Sequence, residues 1–430
     1  MALLPPDHPD RFVLAEEVHA RPPEPLQTPA RASYIAVMVD SDDRERERMH
    51  IASLCERFAV PGPGAGATHF SARLGTFRLK WERHGEFSGY TFFGPGPSGA
   101  PFADPITASL PPNWLPGVPG LTLCAVQAVL QAAPEQTPDV QVLAEHFSGN
   151  SLVGAQVGDG SAWVYTDFRI HDDGAGRLLL FNRTLTSRQA GQMVQRLFEI
   201  EAYRMLALLA LPIARRQSPR ILAIERALAG LTDGIAQDVG NDETLLQELT
   251  RLAAEVESGL AASQFRFGAC RAYFELVTTR IGELREERLT GLQTIGEFMS
   301  RRFTPAVRTC TTVSQRLHDL SERVAQASGL LSTRVDIARE RQNQALLASM
   351  DRRAKLQLRL QQTVEGLSVA AIVYYVAGLI SYVAKGLKAG GLKLDADVAV
   401  GVAVPVLAVL VLLAVRRARR KIVEGEAQLH

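Results

Sequence analysis

Three short polar stretches in the N-terminal part of the chain contain residue types that can bind a ligand or carry out chemistry. In each, charged or imidazole side chains stand at alternate positions: Glu17, His19 and Arg21; Glu82, His84 and Glu86; Asp167, Arg169 and His171. The residue before a proline is pushed out of the helical region, so Pro22 favours an extended chain up to Arg21. In an extended chain, alternate residues share one face. We therefore predict that each triplet projects its side chains together.

If the three strands are neighbours, the triplets form one cluster that suits several kinds of site. Arg21 and Arg169 would hold an anionic ligand, histidine and carboxylate groups would hold a divalent metal, or the cluster would serve acid–base chemistry. The simpler alternative is that each triplet is the solvent-exposed face of a half-buried strand, where its ion pairs contribute about 0–1 kcal/mol to stability. The candidate ligand-binding residues are Glu17, His19, Arg21, Glu82, His84, Asp167, Arg169 and His171. A turn at His84 and Gly85 would break the alternation before Glu86, which is left out.

Signatures of common enzymes are missing from the sequence. The stretch PGPGAG (61–66) lacks the helix-start pattern of a nucleotide-binding loop, and no GxSxG, HExxH or GxxxxGK[ST] motif occurs. The cysteines at 55, 124, 270 and 310 have no metal-ligand spacing and are expected to be reduced thiols in a cytosolic setting. No catalytic residue, cofactor or metal is assigned, and a non-enzymatic role is favoured.

Composition and charge limit the class of protein. Apolar residues make up 46% of the chain and charged residues 22%, which is typical of a folded protein. The formal net charge of +1 gives no reason to expect a nucleic-acid partner. The first residues, MALLPPDHPDRF, have neither a basic nor an apolar signal region, so we expect the N-terminal part to stay in the cytoplasm.

The distribution of proline divides the chain into a loop-rich part and a helical part. Only Pro305 and Pro405 of the 23 prolines lie beyond residue 220, and proline disrupts helices. Residues 1–185 contain short strand-like runs and predict a cytoplasmic mixed α/β domain of the α+β class. Strands are expected at 34–39, 70–81, 86–93, 121–130, 151–157, 162–170 and 178–181, with a helix at 42–58 and an irregular surface excursion at 94–120.

Residues 186–365 predict a stalk of long helices. After Pro305, apolar residues recur at alternating spacings of three and four: Cys310, Val313, Leu317, Leu320, Val324, Ala327 and Leu331. This spacing is typical of helix-on-helix packing in a coiled coil. The stripe is buried either by an antiparallel helix of the same chain or by a second copy. We expect a homo-oligomer formed through the stalk or through the segments that follow.

Two uncharged stretches near the C-terminus, 367–384 and 398–415, have the length of membrane-spanning helices. Basic residues precede the first and follow the second, which predicts that both outer flanks are cytoplasmic. The sequence therefore predicts a two-helix transmembrane hairpin at 366–416 and a basic cytoplasmic tail at 417–430, with the lipid bilayer as a partner. The alternative is a buried helical hairpin in a soluble oligomer.

Several long stretches resemble an uncharacterised bacterial family, domain of unknown function 3422, which is described as membrane-anchored. They are EVHARPPE (17–24), KWERHGEFSGYTFF (80–93), DFRIHDDG (167–174), GQMVQRLFEIEAYRMLALLALPIAR (191–215) and TRVDIARERQNQALLASMDRRAKLQLRLQQTVEGLSV (333–369). The resemblance covers nearly the whole chain and implies a protein of the bacterial inner membrane. It implies no activity, cofactor or catalytic residue.

The architecture also resembles that of CorA-type magnesium channels, in which a cytosolic α/β domain, very long helices and two spans follow one another. The Gly-Met-Asn signature of those channels is missing here, where SYVAKGLKAGGLKLD stands instead. The likeness therefore concerns shape. Three functions remain open: a non-enzymatic scaffold or ligand sensor at the inner membrane, which is favoured; ion transport by an oligomer; and an enzyme that uses the polar triplets. The small ligand or protein partner is unknown.

Overall fold

The computed structural model describes residues 5, 7–17, 22–237, 241–390 and 396–426. The chain divides into two compact units, Met1–Gly329 and Leu330–His430. The first unit contains a β-sheet with its packed helices, and the second contains the later part of one long helix together with the C-terminal helix. A mixed-sheet N-terminal domain, a long helix and a C-terminal helix are thus confirmed.

Within the described ranges, nine strands form a single mixed sheet. Its spatial order is β2-β3-β4-β1-β5-β8-β7-β6-β9. Neighbouring strands are antiparallel except for β5 and β8, which are parallel. The strands are β1 Ala30–Met38, β2 His69–Leu74, β3 Phe77–Arg83, β4 Phe87–Pro95, β5 Leu121–Ala132, β6 Val153–Val157, β7 Ala162–Thr166, β8 Gly176–Asn182 and β9 Glu287–Arg288.

The described residues also contain nine α-helices. They are α1 Arg11–Glu17, α2 Arg44–Arg57, α3 Val140–Glu145, α4 Ser187–Leu208, α5 Ala210–Ala236, α6 Asp242–Leu284, α7 Ile295–Arg302, α8 Thr304–Ala389 and α9 Ala396–Glu426. A capping box sets the start of α4: the Thr186 hydroxyl accepts from the Gln189 backbone, and the Gln189 side chain accepts from the Thr186 backbone.

Different helices cover the two faces of the sheet. On β1, the Tyr34 ring stacks on Phe198 of α4 with ring centroids 5.2 Å apart. Val37 points to the other face, where it packs in a core with Ile51 and Leu54 of α2. Because successive strand residues point to opposite faces, α4 and α2 lie on opposite sides of the sheet.

Two local predictions were wrong, and a third was right only in part. Residues 70–81 form a hairpin, β2 and β3, because Gly75 supplies a turn with φ +61°. Residues 94–120 are irregular, as expected, but they bury Ile106 and Trp114 in the core beside α2. Glu17 ends the helix α1 and is not extended, while His19 and Arg21 lie outside the described residues.

The apolar stripe of α8 is buried within the first unit as far as Ala327. Arg316 of α8 forms an ion pair with Glu225 of α5 at 2.7 Å, and Ser321 donates a hydrogen bond to Glu257 of α6 at 2.6 Å. The stripe therefore packs against helices of its own chain. Self-association through this part of the stripe, the other arrangement considered, does not fit that packing.

The second unit contains the apolar segments. Among the described residues, one helix, the continuation of α8, is long and apolar enough to cross a membrane, and only 6% of that apolar window is buried. The apolar stretch of α9, Val400–Val415, is shorter. Val415 lines a groove together with Ser368 and Ile372 of α8, so α9 runs back along α8. One membrane-spanning candidate is therefore found, and the predicted transmembrane hairpin is not confirmed.

Candidate ligand-binding site

A polar cavity of the first unit lies on the face of the sheet that α4 covers. Its volume is about 240 Å³. Strands β3 and β4 form its floor, α4 forms one wall, and Arg280 of α6 reaches in from the side. It is lined by Glu24, Tyr34, Lys80, Glu82, His84, Phe87, Thr91, Phe93, Gly191, Gln195, Phe198, Glu199, Tyr203 and Arg280.

The alternation of β3 places two charged side chains in the cavity. Leu79 and Trp81 point into the core beside α2, so Lys80 and Glu82 point to the face under α4. Lys80 Nζ lies 3.0 Å from Glu82 Oε1, and the two side chains are only 7% and 12% exposed. Lys80 Nζ also donates to Gln195 Oε1 at 3.5 Å. A lysine is rarely buried to this degree unless it is paired.

Helix α4 contributes Gln195, Glu199 and Tyr203, which stand four residues apart and therefore share one face. Gln195 Nε2 donates to Glu199 Oε1 at 2.8 Å, and Glu199 also accepts from Arg280. Burial by itself disfavours the charged guanidinium, but the carboxylates of Glu199 and then Glu283 outweigh it and raise the pKa of Arg280. The arginine is thus held in its charged form beside the cavity.

The chain that follows the Pro22-Pro23 pair closes the cavity rim with Glu24. Glu24 accepts a hydrogen bond from Ser71 at 2.5 Å and lies 3.2 Å from Arg78. Gly191 of α4 permits this approach, because a Cβ there would lie 1.8 Å from the Glu24 carbonyl oxygen. The EVHARPPE stretch therefore meets the cavity through its last residue.

Tyrosine and phenylalanine rings supply the apolar part of the lining. Burial raises the pKa of Tyr34 well above its usual value, so its hydroxyl stays protonated. His84 stacks on Phe87 with ring centroids 4.3 Å apart, and the His84 backbone N–H donates to the Phe87 carbonyl at 2.8 Å. The cavity thus combines charges of both signs, a protonated phenol, an imidazole and aromatic surface.

Two of the predicted site residues line this cavity, Glu82 and His84. Glu86 instead forms a 2.6 Å ion pair with Arg266 of α6, because the turn after β3 breaks the alternation. The side chain of Glu17 and the whole of His19 and Arg21 lie outside what the structure describes.

The third triplet lies elsewhere and is not extended. Strand β7 ends at Thr166, and Asp167–His171 follow as a loop in which Phe168 has φ +54°. Asp167 and His171 meet at 3.0 Å, while Arg169 is exposed. Four strands separate β3 from β7, a distance of about 24 Å at the usual strand spacing. The prediction that the triplets form one cluster is therefore wrong for the second and third: Glu82 and His84 lie far from Asp167 and His171.

Several cavity residues were missed by the sequence reasoning. Lys80 had an available signal, because it alternates with Glu82 in KWERHGE. Glu199 pairs with Arg280, which lies 81 residues later in the chain. Arg280 itself carried no local signal, since only the packing of α6 on α4 brings it to the cavity. Among the described residues, no group of three His, Cys, Asp or Glu side chains is arranged to hold a metal ion.

The architecture and site define a class of protein: a mixed-sheet domain with a buried polar cavity, joined to a long helix that ends in an apolar segment. The chain belongs to the family DUF3422, described as a protein of unknown function, whose profile matches residues 6–422. No curated protein matches the sequence. The family resemblance inferred from the motifs is thereby confirmed.

Proposed function

We propose that the protein is a ligand sensor, anchored in the bacterial inner membrane, whose sheet domain binds a small zwitterionic molecule. The observation that carries the proposal is the cavity between β3, β4 and α4, where the largely buried pair Lys80 and Glu82 lies near the partly exposed pair Arg280 and Glu199. Such a lining suits a ligand that carries both an ammonium and a carboxylate group, as a free amino acid does.

Each charged side chain of the cavity is paired with another one in the structure and can exchange that partner for a charged group of the ligand. Arg280 presents a planar fork that suits a carboxylate, and Lys80 adds a second positive charge. Glu82 and Glu199, which hold these cations in the structure, would then face the ligand's ammonium group. A ligand of one sign would leave some of these buried charges without a partner, and this is costly.

Cavity size limits the ligand to a small molecule. A volume of about 240 Å³ lies below the roughly 300–1,000 Å³ of pockets for drug-sized ligands. The rings of Tyr34, Phe87 and Phe198 would cover a short apolar side chain. This combination favours a compact metabolite over a nucleotide or a peptide.

The membrane anchor is proposed from the second unit. Residues 367–384 of α8 carry no charge, extend over about 27 Å at the usual helical rise and are largely exposed. Exposed apolar residues on this scale mark a membrane or protein interaction surface, and the length of this segment suits a membrane span. Because α9 runs back along α8, the basic flanks at 352–359 and 416–421 lie at the same end of the pair. This supports a two-span hairpin with both flanks, the sheet domain and the tail on the cytoplasmic side.

The cavity is tested by thermal unfolding of the full-length protein in detergent, followed by tryptophan fluorescence. The probes are single L-amino acids and glycine betaine, with alkylamines and carboxylates as probes of one charge. Saturation at about 100 times the dissociation constant adds about 2.7 kcal/mol of stability. We expect at least one zwitterion, and no singly charged probe, to raise the midpoint by several degrees.

A charge-neutral double variant, Lys80→Met with Glu82→Leu, provides the matched test. Replacing a buried ion pair by apolar residues of similar volume is often neutral for stability, so the unliganded midpoint is expected to stay near that of the wild type. The shift caused by the zwitterion should disappear. Arg251→Ala, at an exposed ion pair of α6, should retain it. A wild-type protein that no zwitterionic probe stabilises, or a shift that survives in the double variant, would refute the proposal.

A further inference from the structure

A second group of polar residues lies in the loops around β6 and β7, away from the cavity. Ser148 Oγ lies 3.2 Å from His171 Nδ1, and His171 Nε2 lies 3.0 Å from Asp167 Oδ2. The His171 and Asp167 side chains are 3% and 0% exposed, whereas Ser148 is exposed at the surface. A hydroxyl, an imidazole and a buried carboxylate thus stand in a row, with the hydroxyl open to solvent.

The carboxylate is held in a fixed orientation. Asn150 Nδ2 donates to Asp167 Oδ2 at 2.8 Å, and the Arg169 backbone N–H donates to Oδ1 at 3.2 Å. His171 Nε2 lies within ion-pair distance of Oδ2 but makes no hydrogen bond of normal geometry. Catalytic hydrogen bonds often have poor alignment before substrate binds.

Backbone strain occurs on both sides of the row. Ser148 has φ +56° where the chain leaves α3, and the Gly149 N–H closes the turn by donating to the Ala144 carbonyl at 2.8 Å. Glycine is the usual residue at this left-handed position, so a serine there is conformationally unfavourable. Phe168, next to Asp167, is also left-handed, which is rare for a bulky residue. Strained residues of this kind concentrate at functional sites.

We propose that Ser148 is a nucleophile, with His171 as its general base and Asp167 as a positioning residue, and that this site cleaves unhindered acyl esters. Serine proteases use the same three residue types, although there the other ring nitrogen faces the serine. Either nitrogen suffices, because the chemistry needs one acceptor and one N–H donor on the ring. This activity goes beyond the ligand binding proposed above and uses none of the cavity residues.

The reaction balances without a cofactor. As Ser148 Oγ attacks the carbonyl carbon, its proton passes to His171 Nδ1. The bond from that carbon to the leaving alkoxide oxygen then breaks, and the proton on Nδ1 passes to the alkoxide, which leaves as the alcohol. Water next attacks the acyl-Ser148 ester and gives a proton to Nδ1; the carboxylic acid departs, and Ser148 Oγ regains its proton.

The experiment uses full-length protein, a small fluorophosphonate and p-nitrophenyl acetate. We expect the fluorophosphonate to form one adduct, which peptide mass spectrometry places on Ser148. His171→Gln should slow the labelling at least 100-fold, as expected for loss of a general base. Asp167→Asn should lower kcat for the ester with little change in KM.

Ser148→Gly separates reactivity from folding. Glycine fits the left-handed backbone, so the variant should unfold at the wild-type temperature or above it and yet form no adduct. Ser151→Ala, at a nearby exposed serine, should label like the wild type. The proposal is overturned by a wild-type protein without an adduct on Ser148, or by wild-type labelling rates in His171→Gln.

Discussion

A buried carboxylate on α2 gives the most quantitative test of the sheet domain. Glu47 is completely buried. Its Oε1 accepts hydrogen bonds from Trp81 Nε1 at 3.0 Å and from the Tyr90 hydroxyl at 2.7 Å, and its Oε2 lies 3.5 Å from Arg44. The carboxylate therefore joins the helix to strands β3 and β4 from inside the core. Burial, followed by the charge of Glu47, raises the pKa of Tyr90 far above its usual range.

Removing this carboxylate leaves donors without acceptors. Hydrogen bonds to a charged group contribute about 1.5–3 kcal/mol each, and removing one member of a buried charge network costs about 3–5 kcal/mol. We expect Glu47→Leu to lower the free energy of unfolding by about 3–5 kcal/mol. Glu47→Gln keeps an acceptor oxygen of similar volume and should lose about 1–2 kcal/mol.

The assay is urea unfolding followed by tryptophan fluorescence, because Trp81, Trp114 and Trp163, the three tryptophans of the chain, all lie in the sheet domain. With a urea slope of about 2 kcal/mol per molar, Glu47→Leu should move the midpoint down by about 2 M. Glu45→Ala, which removes an exposed partner of Arg48 on the same helix, is the matched control and should leave the midpoint unchanged. If Glu47→Leu unfolds at the same urea concentration as the control variant, the network does not stabilise the fold.

Two further predictions follow from the packing of the first unit. Gly191→Ala should lower the unfolding temperature and expose residues 22–26 to protease, because the new Cβ would clash with the Glu24 carbonyl. The control is Gly268→Ala on α6, where the new Cβ would contact nothing, and it should stabilise the protein by about 1 kcal/mol. Equal changes in unfolding temperature for the two variants would contradict this packing. Burial raises the pKa of Glu286 even though it accepts from two backbone N–H groups of α7. Its contribution to stability is therefore full below about pH 4.3 and is lost as pH rises through the raised pKa. As pH rises through this range, the urea midpoint of Glu286→Gln should decline less than that of the wild type. An equal decline in both proteins would show that Glu286 does not have a raised pKa.

Local pattern was sufficient to predict much of the fold. The strands at 121–130 and 178–181 were located within a few residues, because apolar runs bounded by turns identify buried strands. The apolar stripe of α8 was predicted from its spacing alone, since residues three and four apart share a helix face. The hairpin at Gly75 was missed although the alternation changes phase there, from even-numbered apolar residues at 70–74 to odd-numbered ones at 77–81.

The site was predictable only in part, because the order of strands in a sheet is not a local property. The alternation in β3 correctly groups Lys80 with Glu82, but nothing in the sequence shows that β4, β1, β5 and β8 lie between this strand and β7. Arg280 reaches the cavity only because α6 packs on α4. Asp167 and His171 do meet, but through a strained loop that brings residues four apart together, and not through the extended strand that was expected.

The measurement that tests the anchor most directly is the depth of a spin label on α8 in lipid vesicles. Tyr375→Cys lies at the middle of the uncharged segment and Leu347→Cys lies 28 residues earlier on the same helix; the side chains replaced are 72% and 63% exposed. All four native cysteines are buried, so the new thiol is labelled selectively. We predict that the label at 375 collides more with lipid-soluble oxygen than with a water-soluble nickel chelate, and that the label at 347 shows the reverse. Equal access of the nickel chelate to both labels would contradict a membrane-anchored protein.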